Sequence, residues 1–131
     1  MAIVFAPVST ITIVRGTDWV DDVTLVNEAD QSPVSLDGAV GLWMRIRETP
    51  ADPPLLDLSL DNGRIVVVDA ENGVIGFRVY TPDTLLLPEN DHERASYGFD
   101  LVIERQSGRY EAGVRGRINV EPQYARPWET T

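Results

Sequence analysis

Short turn signals punctuate this chain, and the stretches between them alternate apolar and polar residues. LLDLSL (55–60) and RIVVV (64–68) flank DNG (61–63); YGFDLVIER (97–105) and RYEAGVRGRINV (109–120) flank QSG (106–108). Glycine and asparagine accept positive φ in tight loops, so both units read as antiparallel hairpins. A period of two puts successive side chains on opposite faces of a strand and cannot build an amphipathic helix.

The same reading extends along the chain. In AVGLWMRIR (39–47), Val40, Leu42, Met44 and Ile46 share one face, and Trp43, Arg45 and Arg47 share the other. STITIV (9–14), DWVDDVTLV (18–26) and VIGFRVY (74–80) are also strand-like, with Ile75, Phe77 and Val79 aligned in the last. Tyr97, Phe99, Leu101 and Ile103 share a face, as do Val114, Ile118 and Val120. The proline-rich PADPP (50–54) reads as a loop. About eight strands, mostly joined as hairpins and each with one apolar face, are satisfied together by a two-layer antiparallel β-sandwich. PDTLLLP (82–88), in the long connection 81–96, is the one helical candidate. Residues 1–120 are expected to form a single domain and 121–131, with two prolines, an extended C-terminal arm.

ERASYGF (93–99) has the spacing of a tyrosine corner, in which a tyrosine hydroxyl ties back to the backbone ahead of the penultimate strand. Tyr97 would be that tyrosine, and Phe99 would take the place of an antibody domain's second cysteine. These residues favour an immunoglobulin-like sandwich. Trp43 has the wrong phase for the core tryptophan, because it shares a face with Arg45 and Arg47, and is expected at a partly covered surface.

Composition narrows the chemistry. The chain has no cysteine, which removes disulfides, thiolate nucleophiles and cysteine-based zinc sites. Its one histidine, His92, removes multi-histidine metal sites. A formal charge of −10 repels phosphate backbones and argues against nucleic-acid partners. No apolar run approaches the roughly 20 residues needed to span a bilayer. The opening MAIVFAPVST lacks the basic start of a signal peptide, so folding in the cytoplasm of the producing cell is expected. All 11 bases are arginine, whose planar, multi-donor head suits protein contacts.

VRGTDWVDDV (14–23) concentrates three aspartates. Asp21 and Asp22 point to opposite faces of a strand, and Asp18 and Asp22 stand about 13 Å apart. A glycosidase-type carboxylate pair needs roughly 5 to 9.5 Å. The segment therefore reads as a solvated strand face after a turn that Gly16 permits. The acids of DAENG and DNG belong to turns and do not match a calcium loop, although a weak calcium site across turns stays open. No serine lies in a glycine elbow, and GVRGR (113–117) carries its glycines in a strand, where they mark a bulge or a close backbone approach. No catalytic residue, cofactor or metal site is assigned.

The arginines point elsewhere. Arg105, Arg109, Arg115 and Arg117 gather on the last hairpin, with Arg115 and Arg117 directed the same way. They either meet acids of a partner or pair internally with Glu104 and Glu111. Tyr124, Arg126 and Trp128 in the arm join Arg115, Arg117 and Trp43 as partner-contact candidates, since aromatic and arginine side chains dominate binding hot spots. The competing reading of the arm is an undocked tail. If exposed, Trp19, Trp43 and Tyr80 offer stacking platforms for a carbohydrate.

The order of segments also resembles a known group. RGTDW, DQSPVSLDGA and LWMRIRE, then NGVIGFRVYTPDTLLL, then YGFDLVIER with GRYEAGVRGRINVEP, are similar to small tail and baseplate proteins of bacteriophages. The likeness covers nearly the whole chain through short structural motifs. It is to the immunoglobulin-like domains at the N-termini of baseplate upper proteins and tail fibres. It implies a non-enzymatic virion structural protein of a tail, baseplate or neck, present in multiple copies and contacting other tail proteins. This chain departs from the pattern in having no fibre or coiled coil after residue 131 and in ending QYARPW rather than near a threonine–arginine pair. Those departures favour a connector or decorating protein over a fibre. The alternative is a carbohydrate- or host-surface-binding sandwich, and an enzyme dependent on Asp22 or His92 is a distant third.

Overall fold

The computed structural model describes residues 3–6, 11–87 and 95–121. Within them lie nine strands: β1 (Ile3–Ala6), β2 (Ile11–Val14), β3 (Trp19–Asn27), β4 (Ala39–Arg47), β5 (Leu56–Ser59), β6 (Ile65–Asp69), β7 (Val74–Val79), β8 (Ala95–Arg105) and β9 (Tyr110–Glu121). The strand absent from the sequence reading is β1, whose four residues are too few to show an alternation. The expected helical stretch 82–88 contracts to α1 (Thr81–Thr84), started by Pro82 and followed by turns through Leu87.

Two layers face each other. One runs β1-β3-β7-β6 and the other β2-β9-β8-β4-β5. A single bridge, Ile3 to Val114, joins them at one seam. Every pairing is antiparallel except those of β1 and β2 with β9, which are parallel. The first stretch of chain is thus divided between layers, β1 serving one and β2 the other. In immunoglobulin lettering the layers are A-B-E-D and G-F-C with β5 in the C′ place, so the fold is an immunoglobulin-like β-sandwich.

The core follows the alternation. Leu42, Met44 and Ile46 of β4, Leu101 and Ile103 of β8, and Leu25 and Ile75 from the opposite layer are fully buried. Val40 departs from the expected face and is 54% exposed, because a register shift between Ala39 and Gly41 rotates it out of phase.

Four aromatic rings cross the core. Trp19 stacks on Phe77 at 4.5 Å, Phe77 meets Phe5 edge-on at 5.7 Å, and Phe5 stacks on Phe99 at 5.9 Å. Phe99 of β8 is a core residue, and its ring joins the two layers through Phe5 of β1. Each such ring pair adds about 0.5–1.5 kcal/mol beyond the burial of its area.

Candidate functional site

Asp18 and Asp22 of VRGTDWVDDV serve the fold. Residues 15–18 form a clasp around the segment that begins with α1. The turn places Gly16 at φ +83°, and its N–H donates to the buried Thr84 hydroxyl at 3.1 Å. That hydroxyl lies 2.9 Å from the Thr17 carbonyl, to which it donates. Asp18 accepts from both the N–H and the hydroxyl of Thr81, at 2.8 Å each, supplying the cap that Tyr80 does not. At the other end, Arg15 donates to the carbonyls of Leu87 at 2.8 Å and Leu85 at 3.1 Å. An acid at the start and a base at the end also match the backbone dipoles of the turn.

Asp22 turns outward and pairs with Arg78 at 2.9 Å, while Asp21 is exposed. The three carboxylates therefore diverge. Among the described residues no group of three or more His, Asp and Glu side chains is placed to hold a metal ion. Asp30 closes a local turn, and the Ser32 hydroxyl and N–H hold its carboxyl below the usual carboxylate range.

The arginines separate into two groups. Arg64 forks onto Asp83 at 2.9 and 3.2 Å and also reaches the Asp57 carbonyl at 2.8 Å. Arg105 pairs with Glu111 at 3.2 Å and reaches the carbonyls of Ser35 and Asp37, so internal pairing holds there. Glu104, the other expected acid, instead accepts the indole N–H of Trp43 at 3.2 Å. Arg115 and Arg117 do point the same way and are exposed. Among the described residues no hydrogen bond or ion pair engages Arg115. Arg117 is anchored on Ser96, donating from Nε to the hydroxyl and from Nη2 to the carbonyl, at 2.8 Å each.

Strand register assembles these two with residues not singled out beforehand. Asp57, Arg45, Asp100 and Arg115 are successive cross-strand partners over β5, β4, β8 and β9, giving one row of alternating charge on the outer face. In the next row Arg47 and Arg117 flank Gly98. A groove of about 480 Å³ runs here, lined by Arg45, Arg47, Glu48, Asp100, Arg115 and Arg117 among others. Four arginines against two acids make it basic on a chain whose net charge is −10. A neighbouring hollow of about 420 Å³ at the β1–β9 seam shares Arg115, Gly116 and Arg117.

The tryptophans also separate. Trp43 is half-buried, as expected, and lies over Gly41. Trp19 is only 6% exposed, so it belongs to the core and cannot act as a stacking platform. Tyr80 is 51% exposed. Tyr97 faces inward beside Phe99; burial, and then the charge of Glu48, push its phenol above the usual value. The backbone segment that would complete its corner, and the candidates His92, Tyr124, Arg126 and Trp128, lie outside the described residues.

No family model and no curated protein matches this chain. Among solved structures it is similar to murine CRIg, at 12% identity over 94% of this chain and 99% of that one, TM-score 0.45. It is also similar to CopC from Methylosinus trichosporium OB3b, at 9% identity over 95% of this chain and 97% of that one, TM-score 0.45. A third likeness is to fibronectin(III)-like modules of CbhA from Clostridium thermocellum, at 12% identity over 91% and 94%, TM-score 0.40.

Proposed function

We propose that this chain is a non-enzymatic attachment module that works through protein–protein contacts on the outer face of the β5-β4-β8-β9 layer. The observation that carries this reading is the basic groove there, where Arg115 has no bond among the described residues. Exposed guanidinium groups beside an alternating charged row suit the register-setting electrostatics of a protein interface. The resemblance of the segments RGTDW, LWMRIRE and YGFDLVIER to phage proteins makes the setting a bacteriophage tail, baseplate or neck, with several copies assembled among other tail proteins.

The test is mass spectrometry of purified particles, with antibody labelling under the microscope. The proposal expects the chain at stoichiometric level and a label confined to neck, tube or tip. Absence from the particles would sink the virion setting. The carbohydrate reading is weakened by the burial of Trp19 and the engagement of the Trp43 indole N–H with Glu104. Glycan-dependent quenching of tryptophan fluorescence would restore it.

A further inference from the structure

Gly98 is a strand glycine that, among the described residues, has neither a positive φ nor a neighbour closer than 3.9 Å to a Cβ. Gly16, Gly38, Gly63, Gly73 and Gly108 have positive φ, which side chains resist. Among the strand glycines, a Cβ at Gly113 would meet the Leu101 carbonyl oxygen at 2.7 Å and one at Gly116 the Phe99 ring at 3.1 Å, while at Gly41 and Gly76 it would meet side chains, Trp43 with Glu104 and Arg78 with Asp22. At Gly98 the nearest described atoms, Nη1 of Arg117 and the carbonyl oxygen of Arg47, would both be 3.9 Å from a Cβ. Its φ is not positive. A bare glycine in a strand interior forgoes side-chain packing and commonly marks the close approach of a ligand or another backbone.

What glycine leaves here is a notch. Gly98 faces outward on β8, with its cross-strand partners Arg47 and Arg117 on either side. Those two backbones stand about 10 Å apart, which is two strand spacings. Nη1 of Arg47 already donates to the Asp52 carbonyl, so the donor aimed at the notch is on Arg117: Ser96 holds its Nε and Nη2, leaving Nη1 beside Gly98. Arg115 adds a second exposed cation one row away.

We propose that the Arg47–Gly98–Arg117 notch receives a carboxylate side chain from an extended segment of a partner protein. The proposal deepens the contact-module reading and rests on it. A guanidinium with free N–H groups matches a carboxylate, and a missing side chain admits the segment's backbone to the sheet surface. A uniform polyanion fits less well, because Asp100 and Glu48 line the same groove and the whole chain is acidic.

The experiment is an NMR titration of the full chain, following the backbone amides of Gly98, Arg115 and Arg117. Three probes are compared: an end-blocked acidic peptide (acetyl-GDSEG-amide), its uncharged counterpart (acetyl-GNSQG-amide) and inorganic phosphate. Saturable shifts centred on Gly98 with the acidic peptide alone are expected. Binding should weaken about tenfold in Gly98→Val, which fills the notch, and in Arg117→Gln, which removes its charge. Equal binding of the uncharged peptide, or saturation by phosphate and not by peptide, overturns the assignment. So does unchanged affinity in both variants. Salt-sensitive self-association of the chain, lost in Gly98→Val, would give the notch to a second copy instead and also overturn it. A chain found in particles that fails to bind the peptide loses the notch but keeps the module; peptide binding without incorporation does the reverse.

Discussion

The clasp around α1 and the groove around Gly98 use the same residue types to opposite ends. In the clasp, Arg15 reaches two carbonyls, Asp18 caps Thr81, and the buried Thr84 hydroxyl serves the Gly16 N–H and the Thr17 carbonyl. The side chains of Arg15, Asp18 and Thr84 there are each turned to an internal partner, and the buried Thr84 hydroxyl is satisfied as burial requires. In the groove, Arg45 pairs with Asp57 and Arg47 reaches the Asp52 carbonyl, but Arg115 is exposed, Arg117 is held on one side only, and among the described residues no atom comes closer than 3.9 Å to a Cβ at Gly98. Polar groups consumed by internal bonds stabilise a fold; those positioned but left over are available to another molecule.

Substitutions can break or sharpen that contrast. The largest effect is expected at Thr84. Thr84→Val keeps the shape but leaves the Gly16 N–H and the Thr17 carbonyl unpaired, at a cost of about 2–3 kcal/mol in denaturant unfolding. Peptide binding at the groove should not change. Gly113→Ala comes next. Its Cβ would meet the Leu101 carbonyl oxygen at 2.7 Å, a backbone atom that cannot swing aside, so about 2 kcal/mol should be lost. Gly98→Val, one strand away, should melt at the same temperature or gain about 0.5 kcal/mol from better strand propensity. A large loss there would mean that the fold needs that glycine and would remove the argument for a notch.

Arg115→Gln should change stability by less than about 0.5 kcal/mol, since no bond among the described residues is broken. A larger destabilisation would place Arg115 with Arg15 of the clasp.

The smallest expected effect is alkaline. Tyr97 titrates above the ordinary 10.0 in the folded chain, so its neutral form is favoured by folding. The contribution is fully present below the unfolded value and fades as pH rises through the raised one. Unfolding midpoints should therefore fall as pH rises past about 10, the ordinary tyrosine value, and the fall should be shallower in Tyr97→Phe.

Alternation made much of the fold legible. It identified the inward residues of β4, β8 and β9 and kept Trp43 out of the core. It failed at Val40, where a register shift breaks the period, and at β1, too short to show one. Trp19 was ambiguous because its place in the core depends on Phe77, which reaches it only through the β3–β7 pairing. The site was less legible than the fold. The outward direction of Arg45 and Arg47 could be read from phase, and that of Arg115 and Arg117 likewise. Only cross-strand register puts Gly98 between Arg47 and Arg117. Asp18 meets Thr81 across 63 residues, a contact that no local pattern announces.

The most direct test of the account is the incorporation of Gly98→Val chains into particles, measured against wild type at equal expression by quantitative mass spectrometry. The account predicts wild type at stoichiometric level and the variant reduced about tenfold or more, with its fold intact. Equal incorporation of the two chains would contradict it.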